Sequence, residues 1–186
     1  MESESKVIVT GIVTKTDFNA KILDIIRPAA EITVYSQEDK EWIDKIYLIF
    51  AENVDARRFK AFNIGDILLL TGELIYYPGT GYAIYVTSYT ILQSNKSDAP
   101  LNMQKTLFFN YTLPQNFVFV KGSVLCHNND IITLAHQICT PVRGDLIKKS
   151  VQPVRITRKM KDASKNVIFC GRFGVQMIEG DAYEVV

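Results

Sequence analysis

The first half of the chain carries aromatic side chains at strand-like spacing: Tyr35, Trp42, Tyr47, Phe50, Tyr76, Tyr77, Tyr82, Tyr85 and Tyr89. Flat π-surfaces can stack on unpaired bases, each stack contributing about 1–3 kcal/mol, provided cationic groups stand nearby to follow the phosphates. Tyrosine is also an ordinary strand former, so strand parity must separate outward rings from core rings. Ile84 and Val86 take the inward side of one strand and leave Tyr85 outward. Ile32 and Val34 do the same for Tyr35, and the polar Thr71 and Glu73 mark the outward side that Tyr77 shares. Trp42 sits beside Glu41 at the wet end of its strand. The candidate stacking surface is therefore Tyr35, Trp42, Tyr77 and Tyr85.

Candidate phosphate contacts divide between the halves. Lys15, Lys21, Arg57 and Arg58 belong to the first. Lys148, Lys149, Arg158 and Lys159 belong to the basic stretch "RGDLIKKSVQPVRITRKMKDASK" of the second. Residues 1–95 hold nine Lys/Arg against thirteen Asp/Glu, and residues 96–186 hold twelve against seven, so charges of −4 and +5 sum to the overall +1. A near-neutral total thus hides a basic half, and local positive charge is what displaces counterions from phosphates. The basic stretch reads either as a solvated loop and edge strand or as a phosphate-tracking patch.

Short strands must position these groups. "KVIVTGIVTK", "AEITVYSQ", "EWIDKIYLIF", "DILLLTGELIYY" and "YAIYVTSYTIL" alternate or run apolar as strands do, and Gly11 and Gly72 interrupt two of them as bulges or bends do. "AENVDARRFKAF" has helical spacing between the third and fourth strands. The order β-β-β-α-β-β predicts an all-β fold: a five-stranded OB-fold barrel with one short helix between strands 3 and 4. Residues 1–95 form this domain, 96–105 a polar linker, and 106–186 a second β-rich domain. In the last of these, "NFVFVKGSVLC" repeats the opening pattern, with Gly122 in the place of Gly11, and no helix is evident. It reads either as a second, divergent OB-fold or as a β-extension packed on the first barrel or used in oligomer contacts.

Other chemistry is poorly provided for. Cys126, Cys139 and Cys170, with His127 and His136, match no zinc or disulfide spacing. Phosphate-binding loop, dinucleotide, zinc-protease and nucleophile-elbow motifs do not occur. The expectation is a binding protein without cofactor or metal, not an enzyme. No apolar run is long enough for a membrane span, and "MESESKVIV" lacks the basic and apolar regions of a secretion signal. A cytoplasmic location follows.

Over residues 6–92 the sequence resembles the single-stranded DNA-binding proteins of the bacterial and phage type. The likeness is carried by "KVIVTGIV", the Glu41–Trp42 pair opening the third strand, "IGDILLLTGEL", a glycine-tipped hairpin and "YAIYVTS". The resemblance implies an OB-fold that binds single-stranded DNA, with RNA on the same surface in the same class, and places a base-stacking tryptophan at Trp42. It adds Phe50 as a binding aromatic if the strand register shifts by two. It further implies a homo-oligomer, replication or recombination proteins as partners, and a nucleoid or replication-associated location, with a viral, phage or plasmid gene as one source. The chain departs from the family where a structured second half stands in place of a flexible glycine- and proline-rich tail. The competing expectation is an OB-fold accessory or structural subunit that binds other proteins, which the acidic first half favours.

Overall fold

The computed structural model describes residues 4–22, 25–51, 62–77, 81–111, 114–137, 141–142, 145–146, 150–161 and 165–185. The first half supplies β1 (Glu4–Ile22), β2 (Ile25–Ser36), β3 (Glu41–Phe50), β4 (Ile67–Tyr77) and β5 (Gly81–Gln93). Helix α1 (Leu101–Tyr111) follows. The second half supplies β6 (Asn116–Asn128), β7 (Ile131–His136), β8 (Pro141–Val142), β9 (Asp145–Leu146), β10 (Ser150–Ile156), β11 (Asn166–Phe173) and β12 (Ile178–Glu184). Among the described residues no helix is long and apolar enough to cross a membrane.

The strands close two rings. β1 pairs with β2, β2 with β3, β3 with β5, β5 with β4, and β4 returns to β1. The second ring runs β6, β7, β10, β12, β11 and back to β6. In each ring one pairing is parallel, β3 with β5 and β10 with β12, while the others are antiparallel. This is the Greek-key order of an OB-fold, and closure leaves few free edges. Among the described residues, the two-residue strands β8 and β9 pair with each other alone.

The registers repeat between the rings. Val7 opposite Gly72 in the first matches Val118 opposite Gly171 in the second. The β1–β2 ladder slips between Val13 and Lys15, and the β6–β7 ladder slips between Val124 and Cys126. Gly72 and Gly171 are needed for the same reason. A Cβ at Gly72 would lie 2.2 Å from the Tyr85 carbonyl oxygen, and one at Gly171 would lie 2.1 Å from that of Glu179.

The rings are joined edge to edge. Residues 4–9 of β1 pair antiparallel with residues 116–121 of β6. The inward side chains on both sides of this seam, Val7, Val9, Val118 and Val120, are fully buried, and one apolar cluster runs from Leu48 and Phe50 through to Phe169 and Ile178. Polar contacts add to it. The Tyr76 amide donates to the Ser150 hydroxyl and the Tyr82 hydroxyl to the Pro153 carbonyl, both between the rings, while within the first ring the Leu74 amide donates to the Ser5 hydroxyl. Burial pushes the Tyr82 phenol up to about 12, which keeps that proton in place.

Of the helix expected over residues 51–62, between the third and fourth strands, residues 52–61 lie outside the described residues. The described helix lies instead between β5 and β6, beginning on the sequence expected to be linker and running into the start of the expected second domain. Pro100 supplies its first carbonyl acceptor, to the amides of Met103 and Gln104, a position where the missing proline N–H costs nothing.

Candidate nucleic-acid interface

Tyr35 and Trp42 face each other across the β2–β3 ladder. Their rings are 5.4 Å apart at 60°. Helix α1 crosses the outer side of the first ring and adds two more rings to this pair. Phe108 is fully buried on Ile12 and Ile67 and meets Trp42 edge-on at 5.1 Å. Phe109 meets Tyr35 edge-on at 4.8 Å, lies 6.2 Å from Trp42, and keeps 49% of its surface exposed. Lys105 completes the cluster, with Nζ 5.2 Å from the Trp42 ring centre and 3.8 Å from the Asp44 carboxylate.

A buried polar knot fixes α1 in place. Asn95 Oδ1 accepts from the Ala99 amide at 2.9 Å and from Gln104 Nε2 at 2.7 Å, while the Asn95 amide donates to Asp66 Oδ1 at 2.6 Å. All three side chains are buried. The helix is therefore part of the site: Trp42 and Tyr35 are half-buried, and Phe109 is the ring of the cluster most open to a ligand.

The other candidates fare differently. Phe50 is fully buried between Phe62 at 5.7 Å and Tyr89 at 5.8 Å. It is a core residue and offers no face to a base. Tyr85 does point away from the main core, as parity requires, but it is only 4% exposed, packed in a second cluster with Ile49, Ala51, Ile75 and Ala83. The outward face of β3 and β5 is covered there, so parity identified the side and not its exposure. Lys15 is exposed and lies 3.6 Å from Glu31. Lys21 is exposed on β1. Arg158 and Lys159 are exposed just beyond β10, in the second ring. The side chain of Tyr77, and Arg57, Arg58, Lys148 and Lys149 entirely, lie outside the described residues.

The acids Asp17 on β1 and Glu31 on β2 stand near Tyr47 on β3. Desolvation, then the charges of Asp17 and Glu31, push the Tyr47 phenol above its ordinary value. Glu73 is half-buried, its Oε2 has no hydrogen-bond partner among the described residues, and burial raises its carboxyl above the usual range. In the second ring the matching register place holds Arg172, opposite Glu179 as Glu73 is opposite Tyr85.

Reading the strands alone missed Lys105, Phe108, Phe109 and Tyr183. A signal for the first three existed in "QKTLFFNY", where lysine precedes an aromatic pair at one-turn spacing. Tyr183 alternates with the inward Ala182 at the end of β12 and is 45% exposed.

No protein-family model and no curated protein matches the sequence. Among solved structures, a deletion mutant of the single-stranded DNA binding protein from Thermus aquaticus is similar at 10% identity. The match covers 100% of this chain and 96% of that one, with a TM-score of 0.56. At that identity the likeness establishes the fold, and it spans both rings.

Proposed function

We propose that this protein binds single-stranded DNA, largely without sequence preference, and supports replication or recombination at the nucleoid. The observation that carries the reading is the Tyr35–Trp42–Phe109 cluster with Lys105 on the outer face of an OB-fold ring. Three rings and one cation on one face are what a strand needs, because every base has a π-face and every linkage a phosphate. The likeness to a bacterial single-stranded DNA binding protein across both rings supports it. Binding, not catalysis, is the activity, and RNA on the same face belongs to the same class.

Self-association is part of the reading. The outward side of the β1–β6 seam carries Ile8, Phe117 and Phe119, partly or well exposed side by side in register. The second reading, a subunit that docks on other proteins, draws on the same seam and on the acids around Tyr47.

Fluorescence anisotropy of labelled oligo-dT, with duplex and RNA of equal length as competitors, tests the proposal. Competition by unlabelled oligo-dT but not by duplex is expected. No change in anisotropy up to micromolar protein would favour the protein-docking reading.

A further inference from the structure

We propose a second strand-binding subsite in the second ring, where Tyr183 receives a base and Arg158, Lys159 and Lys161 receive the flanking phosphates. It rests on the single-strand reading above and extends it to a surface outside the Trp42 cluster.

The cleft lies between residues 158–161 and the end of β12, lined by Arg158, Lys159, Met160, Lys161, Tyr183 and Glu184, with a volume of about 320 Å³. Its walls are held together. The Thr157 amide donates to the Gly180 carbonyl at 2.8 Å, and the Thr157 hydroxyl donates to Asp181. The Tyr183 hydroxyl donates to the other Asp181 oxygen at 3.3 Å, which anchors the tip of an exposed ring. Met160 packs down onto the core.

Charge balance identifies the kind of ligand. Several cations of this half are paired: Arg155 with Asp130 and Glu179, Lys165 with Glu184, and Arg172 with three carboxylates. Of the carboxylates near the rim, Glu184 is paired with Lys165, while Asp181 accepts from two hydroxyls and keeps its charge. Arg158, Lys159 and Lys161 are exposed and form no ion pair among the described residues. Three positive charges within four residues, unpaired among the described residues, outnumber the one unpaired carboxylate near them, Asp181, and favour an anionic ligand. A free phosphate would leave the Tyr183 ring unused, and a duplex keeps its bases stacked inside. A single strand alternates bases with phosphates and uses both features.

The repeat between the rings shows that this is not a copy of the first site. Matched registers put Thr90 at the place of Tyr183, since Leu69 faces Thr90 as Ile168 faces Tyr183. They put Gln137 one residue past His136, where the first ring has Tyr35 one past Val34. Tyr35 and Tyr183 thus stand at non-equivalent places in the two rings.

The test uses the full chain and labelled oligo-dT in a salt titration. Neutralising one phosphate on a single strand contributes about 0.7 to the slope of log affinity against log salt. The triple variant Arg158→Ala, Lys159→Ala, Lys161→Ala is expected to flatten that slope by about 2. Tyr183→Ala is expected to weaken binding roughly tenfold with the slope unchanged. All four side chains are exposed or at the rim, and circular dichroism matching that of the wild type establishes that the variants fold. Wild-type slope in the triple variant, or wild-type affinity in Tyr183→Ala, overturns the subsite. Millimolar inorganic phosphate displacing the strand as fully as oligo-dT does also overturns it, in favour of a plain anion site. If Phe109→Ala loses affinity while these variants do not, the subsite falls and the first site stands. If the wild type binds no strand at all, the functional reading falls and the subsite with it.

Discussion

Phe108 and Trp42 meet edge to face at 5.1 Å, one from the helix that follows the first ring and the other from the third strand within it. The contact makes α1 a wall of the first ring, because Phe108 reaches past Trp42 to Ile12 and Ile67 and is fully buried. Phe108→Ala is expected to cost about 3–5 kcal/mol of stability, the range for truncating a buried phenylalanine. Urea denaturation gives the value, and the Trp42 emission of the folded variant should move to the red as water enters the vacated space.

The same contact sets where the first half can be cut. A fragment of residues 1–95 loses α1 and exposes Ile12 and Ile67, whereas residues 1–112 keep both covered. Each fragment also loses β6 from the edge of β1. The longer fragment is expected to melt at the higher temperature and with the sharper transition. Equal melting curves would mean that α1 contributes nothing to the first ring.

How far the sequence was legible follows from this arrangement. Alternation and interior glycines suffice for the five strands of the first ring, because those signals are local. The Gly11–Gly122 correspondence held, with Val7 and Val118 facing Gly72 and Gly171 in equivalent registers. Helix α1 was missed because it has no acid in its first turn and no base in its last, and Pro100 reads as a linker signal. Its stability comes from Phe108 and the Asn95–Gln104 bond, both long-range or buried contacts. Tyr85 shows the limit of parity. A face can point away from one core and still be covered. Phe50 belongs to the run Leu48–Ile49–Phe50–Ala51, buried on both sides, where alternation carries no information.

Arg172 fastens the second ring to the β2–β3 turn of the first. Its guanidinium lies 3.0 Å from Glu38, 3.4 Å from Asp39 and 3.5 Å from Glu179, with the side chain 18% exposed. Arg172→Ala is expected to cost roughly 1–2 kcal/mol, between the values for exposed and buried pairs, because Glu179 keeps Arg155 as a partner. Denaturation at low and high salt checks this. The difference from the wild type should shrink with salt without vanishing.

His136 gives the fold a pH dependence of definite sign. Its Nε2 lies 3.1 Å from the Leu74 carbonyl, across the seam between the rings. Burial pulls its pKa below the ordinary histidine value, with the Leu74 bond opposing. Well above the ordinary histidine pKa of about 6.5 the ring is neutral in both the folded and unfolded chain and contributes no dependence. As the pH falls below that, the unfolded chain takes up a proton that the folded chain resists, so stability declines. The melting temperature is expected to fall between pH 7 and pH 5.5, and to fall less in His136→Gln. Glu73, whose raised carboxyl pKa acts in the opposite sense, is common to both proteins and cancels in the comparison.

The emission of Trp42, the sole tryptophan, reports on the proposed first site without any label. It lies among Tyr35, Phe108, Phe109 and Lys105, so a base stacking on that cluster must alter its surroundings. Titration with oligo-dT is expected to quench this emission to saturation, with duplex DNA of equal length having little effect. Phe109→Ala should weaken the response by about 1–3 kcal/mol in binding. Unchanged Trp42 emission while anisotropy records full binding of the strand, or equal quenching by duplex, would contradict the account.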